Sequence, residues 1–176
     1  MTATARGTWQ TVAVDSAAAI DLRPTSIADL DFVLALEHHP DQASFIGQWT
    51  RDEHVAILKR ADREHLIIEA AGGPAGYLIS YDVRPAGYGI YIKRIAIAEK
   101  SRGIGRAALR VYFAHVGRRF GAEAVWLAVR DHNARAQRAY AAVGFTRVDM
   151  SGAEFDRFLA AVDRPLDRCL IMRANV

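Results

Sequence analysis

The stretch Ile95–Leu109, IAIAEKSRGIGRAAL, ends an apolar run, turns through basic residues and two glycines, Gly103 and Gly105, and continues as an alanine-rich segment. A helix start leaves about four backbone N–H groups without partners and carries partial positive charge. Glycine lets a ligand approach the main chain closely. Lys100, Arg102, Arg106 and Arg110 surround the turn. The pattern therefore suits a phosphate or pyrophosphate. A glycine-tolerant turn with merely solvated basic side chains is the plainer alternative. The GKS or GKT of a nucleoside-triphosphate loop is missing. GIGRAA does satisfy G-x-G-x-x-A, the dinucleotide fingerprint, although that pattern usually opens its domain on the first strand of a doubly wound sheet. Asp131, near the end of the next apolar run, keeps this rival open.

A second cluster comes in WLAVRDHNARAQRAYAAVGF, where an apolar run leads into Asn133-x-x-Ala136, then Tyr140, then Gly144-Phe145. With Lys100-Ser101-Arg102-Gly103-Ile104-Gly105 ahead of it, the chain resembles the GCN5-related N-acetyltransferase (GNAT) superfamily. The acetyl-CoA signature of that superfamily is Gln/Arg-x-x-Gly-x-Gly/Ala after a strand, followed by Asn-x-x-Ala, Tyr and Gly-Phe. Here lysine stands where Gln or Arg is usual. IKRIAI with KSRGIGRAAL, FIGQWTRDEH and the closing RCLIM is similar to a bacterial branch near the ribosomal-protein acetylases. The resemblance extends over residues 20–173.

The resemblance implies acetyl-CoA as co-substrate, no metal, and a site distributed over named residues. Lys100, Ser101, Arg102, Gly103, Ile104, Gly105, Arg106 and Ala107 would cradle the pyrophosphate, chiefly through the N–H groups of 102–106. Ile95, Ala96 and Ile97 would run beside the pantetheine arm on a strand that splays from its neighbour, and an N–H there would polarise the thioester carbonyl. Asn133 would bond the arm from the other side; a plain N-cap suits Asn equally. Tyr140 would protonate the departing thiolate, since a thiol near 8.5 and a phenol near 10 lie close enough for transfer; a core tyrosine packed beside Ala136 is the alternative. Arg135 and Arg138 would reach the adenosine 3′-phosphate or remain solvated.

The acceptor implied is a primary amine, of a small molecule or a peptide, whose ammonium form must first lose a proton. Many relatives place a glutamate early on the central strand; the aligned position here is Tyr91. Candidates for the base are water ordered by Tyr91 or Tyr88, or one of His38, His39 and His54. The loop HHPDQASFIGQW and the two N-terminal helices would form the acceptor wall. Phe45 and Trp49 would line it unless they are core residues, and Trp126 reads as core.

These groups must be positioned by elements the sequence also outlines. A chain of 176 residues with 51% apolar composition supports one domain, read as a loose leader over 1–19 and a single N-acetyltransferase domain over 20–176. IDLRPT alternates as a strand. SIADLDFVLALE and TRDEHVAILKR carry helical periodicity, with Ser26/Asp29 and Thr50/Glu53 as capping boxes. HLIIEA and AGYLISYDV read as strands joined at Gly72–Pro74, YGIYIKRIAIA as a central strand, and AVWLAV as a short buried one. Helices run from about Gly103 to Phe120 and over NARAQRAYAAV, stopped by Gly121 and Gly144. FTRV and RCLIMR are late strands, and EFDRFLAAV between them fits either type. The fold class is α/β, a mixed, mostly antiparallel central sheet flanked by helices.

Composition narrows the partners. The net charge of +3 is spread along the chain without a Lys/Arg block, which suits a small anion better than nucleic acid. Cys169 is the single cysteine, so no internal disulfide forms. A signal peptide and a membrane-length apolar run are missing, so a soluble cytoplasmic protein is expected. Dimers are common in the superfamily, which leaves a homodimer open. Three functions fit these residues: an acetyl-CoA-dependent N-acetyltransferase, a non-catalytic acyl-CoA-binding or sensing module, and a dinucleotide-dependent enzyme.

Overall fold

β-branched and aromatic runs supply the strands of a single sheet. The computed structural model describes residues 12–14, 17–162 and 168–176. In it β1 (Val12–Val14), β2 (Ala17–Pro24), β3 (Arg63–Ala70), β4 (Gly73–Asp82), β5 (Ile90–Ile97), β6 (Ala124–Arg130), β7 (Thr146–Val148) and β8 (Cys169–Asn175) lie in the order β1-β2-β3-β4-β5-β6-β8-β7. Every neighbouring pair is antiparallel except β5 and β6. A doubly wound dinucleotide fold needs a mostly parallel sheet, so the topology overturns the fingerprint reading of GIGRAA.

Helices cover both faces: α1 (Leu30–His38), α2 (Pro40–Ala43), α3 (Arg51–Leu58), α4 (Ile104–Phe120), α5 (Ala134–Ala141) and α6 (Gly152–Val162). On one face α4 buries Ala108, Leu109, Tyr112 and Val116 against Leu22, Leu78, Ile92 and Leu127. On the other, Val33 of α1 and Phe158 of α6 pack with Tyr77, Ile79 and Tyr91. Each large apolar side chain so buried contributes about 1.5–3 kcal/mol.

The helix ends obey their local chemistry. Glu53 accepts the Thr50 N–H at 2.7 Å and Thr50 Oγ1 accepts the Glu53 N–H at 3.3 Å, closing the box at the start of α3. Asp29 accepts the Ser26 N–H at 2.7 Å on a 3-10 turn leading into α1. Gly121 ends α4 in the left-handed conformation, φ 59°. EFDRFLAAV is helical because Phe158 and Val162, four apart, share one buried face. The β3–β4 turn falls at Ala71 and Gly72, both left-handed, so Gly73 and Pro74 belong to the strand. Val12–Val14 pairs with β2 inside the stretch read as a leader, whereas residues 1–11 lie outside the described residues. Among the described residues no helix is long and apolar enough to cross a membrane.

Candidate active site

The site begins with a fault in the sheet. β4 and β5 pair regularly except where Ile79 faces Arg94 and Ser80 faces Ile92, which leaves Lys93 as an extra residue on β5. Such a bulge bends its strand and re-aims the side chains beyond it. Past this point β5 and β6 part: their parallel pairing ends at Ile92 and Leu127, although β5 runs on to Ile97 and β6 to Arg130. Ala98 donates its N–H to Ala75 O at 2.9 Å, on the β4 side. Backbone groups alternate sides along a strand, so those of Ile95 and Ile97 face the gap.

The gap opens a cleft of about 510 Å³ between β5, β6, the start of α4 and α5. Ile95, Ile97, Lys100, Ser101, Gly103, Ile104, Gly105 and Arg106 line one side, and Asn133, Arg135 and Tyr140 the other. Ser101 and Gly103 are left-handed, φ 69° and 77°, and such alternation turns successive N–H groups to one concave side. Gly103 caps α4 without any side-chain bond to the first-turn amides, so those amides stay available. A Cβ on Gly105 would stand 3.4 Å from Ile97 Cγ1, which shows how closely the helix start approaches the strand edge.

Four expected site residues take other places. Tyr91 is fully buried on the far face, its ring 5.7 Å from Phe158 and 6.3 Å from Tyr81, and does not line the cleft. Tyr91 lies before the bulge, where odd-numbered positions face the α1–α6 side; after it even-numbered ones do, as Arg94 and Ala96 show. Ala96 therefore packs in that core and turns its backbone to β4. Ala107 is buried under α4, and its N–H bonds Gly103 O at 3.0 Å within the helix. Arg102 points outward to Glu99. Lys100 lines the cleft, but its Nζ donates to Asp41 O at 2.7 Å, tying α2 to the turn.

Asn133 Oδ1 accepts the Ala136 N–H at 3.1 Å, so it caps α5 through its oxygen while its side chain lines the cleft. Burial pushes the Tyr140 hydroxyl up to about 12, against a smaller opposing pull from Arg135. Phe45 and Trp49 both line the cleft. Phe45 also sits 5.7 Å from the His132 ring. Trp126 is core, as read. Tyr88 packs on Phe158, and its hydroxyl reaches Glu154 O at 3.4 Å. His38 and His39 are exposed and bonded locally, to Leu34 O and the Asp41 N–H.

Glu37, Gln42 and Arg94 were not singled out by sequence. Gln42 donates from Nε2 to Ile97 O at 2.8 Å, so one edge carbonyl of β5 already has a partner. Glu37 is fully buried; it accepts from Tyr77 Oη at 2.5 Å, from the Trp49 N–H at 2.9 Å, and from Arg94 Nη1. His54 Nε2 stands 3.3 Å from it without hydrogen-bond alignment, while His54 Nδ1 meets His65 Nε2 at 3.0 Å. Burial alone would raise the Glu37 carboxyl, but His54, Arg94 and Tyr77 together bring it down to about 2. Burial, then the neighbouring His54, lower His65 to about 3. The sequence signal for Glu37 is its place on the apolar stripe of α1 with Leu30 and Val33.

No curated protein sequence matches this one. Among solved structures, a spermidine N-acetyltransferase from Vibrio cholerae, in complex with CoA and spermine, superposes with a TM-score of 0.70 at 15% identity, covering 89% of this chain and 95% of that one. The ribosomal-protein-S18-alanine N-acetyltransferase from Escherichia coli gives 0.64 at 18%, covering 89% and 94%. A domain from Methanocaldococcus jannaschii gives 0.69 at 16%, covering 90% and 99%. At these identities the likeness is one of fold. The Acetyltransferase (GNAT) family model matches residues 29–145, from the end of the first capping box to Phe145 beyond Tyr140. With the splayed strands and the uncapped helix start, this match shows that the chain belongs to the acetyltransferase (GNAT) family.

Proposed function

We propose that the protein moves an acetyl group from acetyl-CoA directly to a primary amine. The observation that carries this reading is the gap between β5 and β6, which runs from the uncapped amides of α4 past an exposed strand edge to Tyr140. The amides of Gly103–Arg106 would hold the pyrophosphate. The Ile95 backbone and the Asn133 side-chain amide would fix the pantetheine arm from opposite sides. With its oxygen engaged in the cap, Asn133 keeps Nδ2 for that bond. The reaction joins the amine nitrogen to the acyl carbon, breaks the carbon–sulfur bond, and releases a thiolate that Tyr140 would protonate.

A phenol near 12 is a weaker acid than a thiol near 8.5. Complete transfer is uphill by about 3–4 pKa units, so it must be coupled to the proton leaving the amine. Before that point the phenol acts as a hydrogen-bond donor to developing charge at sulfur.

One observation favours a second reading, an acyl-CoA-binding module without turnover. Among the described residues of the cleft there is no histidine, and Glu99, bridged to Arg102, is the one carboxylate. Deprotonation would then fall to water or to the bulk equilibrium of the amine. Mixing the protein with acetyl-CoA and a panel of amines, and monitoring free thiol, decides between the two. Acceptor-dependent thiol release is the expected result; tight CoA binding with no release under any amine would establish the second reading instead.

A further inference from the structure

Arg94 is held with unusual constraint for a side chain on a bulged strand. Its side chain is 4% exposed and lines the cleft. The guanidinium lies over the Trp49 ring, 4.3 Å from the centroid, and Nη1 donates to Glu37. Guanidinium carries five N–H donors in a fixed planar fork. Nη1 is committed to Glu37, the Tyr77 hydroxyl also interacts with the guanidinium, and Arg94 has no nitrogen among the sealed, unpartnered atoms. Neutralising Glu37 needs one contact, and Tyr77 and the Trp49 N–H already serve that carboxylate.

Gly47 explains how the rest of the fork stays open. It is exposed, lines the same cleft, and a Cβ there would stand 3.1 Å from Arg94 Nη2. Its backbone is not left-handed, so conformation does not demand glycine at this position. The missing side chain leaves a planar cationic edge facing the space between Trp49 and β5. Lys93, with Nζ 5.9 Å from the Trp49 ring, puts a second cation on this wall.

We propose that Arg94, oriented by Glu37 and Trp49 and uncovered by Gly47, is a carboxylate-binding residue, and that the acceptor is an amine bearing a carboxylate. This rests on the acetyltransferase reading and narrows its acceptor class. A planar fork meets a carboxylate through two parallel bonds, which a polyamine cannot provide and a cationic wall repels. A free amino acid and a peptide with an acidic side chain near its N-terminus share this chemistry.

The test compares matched pairs: amino acids against their decarboxylated amines and α-amides, and tetrapeptides with Asp or Asn at the second position, with polyamines as a further arm. CoA affinity is measured separately by calorimetry. The expected result is a kcat/KM about tenfold to a hundredfold higher for the carboxylate-bearing member, the range of one charge-assisted bond. Preference confined to free amino acids, or to Asp peptides, identifies the source. In Arg94→Lys, which keeps a positive charge beside Glu37, and in Gly47→Leu, which covers Nη2, that ratio should collapse toward one while CoA affinity holds. Gly47→Leu changes an exposed position and keeps the test open if the Arg94 variant does not fold. Equal or better use of the decarboxylated amines, or an unchanged ratio in folded variants, overturns the proposal. If CoA binds but nothing turns over, N-acetyl amino acids and the corresponding N-acetyl amines are titrated into CoA-loaded protein; equal binding likewise overturns it. Absence of CoA binding would instead defeat the acetyltransferase reading.

Discussion

Tyr140 and Asn133 can be separated into binding and chemical roles by single substitutions. A hydroxyl near 12 remains protonated at neutral pH, so Tyr140→Phe removes a donor without changing charge. Turnover should fall about a hundredfold or more, with CoA affinity within about twofold, read by thiol release and calorimetry. A parallel loss of affinity would mean that Tyr140 mainly shapes the cleft. Asn133 divides differently, because its oxygen caps α5. Asn133→Asp keeps a cap acceptor and loses the amide donor, so thermal stability should hold while CoA affinity drops. Asn133→Ala should lose affinity and also about 1 kcal/mol of stability. Equal CoA binding by wild type and Asn133→Asp would confine Asn133 to the cap.

At the scale of elements, α1, the loop before α3, β4 and β5 are pinned together by Glu37. Its bonds from Tyr77, the Trp49 N–H and Arg94 join those segments inside the second core. Glu37→Leu leaves Arg94 as a buried cation without its counter-charge and should cost about 3–5 kcal/mol. Thr50→Ala removes only an exposed cap and should cost about 1 kcal/mol; urea denaturation of both variants reads the contrast. The same elements show what was legible beforehand. Caps and stops are local chemistry, so Thr50/Glu53, Gly121 and the helix start at Gly103 could be read from short stretches. The turn at Lys100–Gly105 and the Asn133–Tyr140 segment were legible for the same reason. The bulge at Lys93 was not, because it arises from how β4 and β5 pair over Ser80 and Ile92. One inserted residue reverses the faces of a strand. It puts Tyr91 and Arg94, three residues apart, on the same face, where a regular strand would place them on opposite ones, a reversal that single-strand periodicity does not encode. Gln42 was hidden likewise, since its partner Ile97 is distant in sequence.

For the whole molecule, the buried network gives stability an acid limb. His65 is lowered to about 3 from an unfolded value near 6.5, so below pH 6.5 the unfolded chain takes up a proton that the folded one refuses. Its contribution is complete above pH 6.5 and declines toward pH 3. Glu37, at about 2 against an ordinary 4.5, adds a second decline between those values with the same sign. Between pH 6.5 and 5 His65 alone should remove about 2 kcal/mol, and His65→Asn should flatten that limb in urea titrations. A wild-type limb already flat over this range would show that His65 titrates normally.

The molecule as a whole is a sheet opened between two parallel strands and roofed by a short helix tied down through Lys100 and Gln42. This opening is where the coenzyme should bind, and a crystal structure with coenzyme A bound would show whether it does. Pyrophosphate oxygens are expected at about 3 Å from the amides of Gly103–Arg106, the pantetheine arm along Ile95 and Ile97, and the sulfur beside Tyr140. Coenzyme lodged in another crevice, with the gap between β5 and β6 empty, would contradict it.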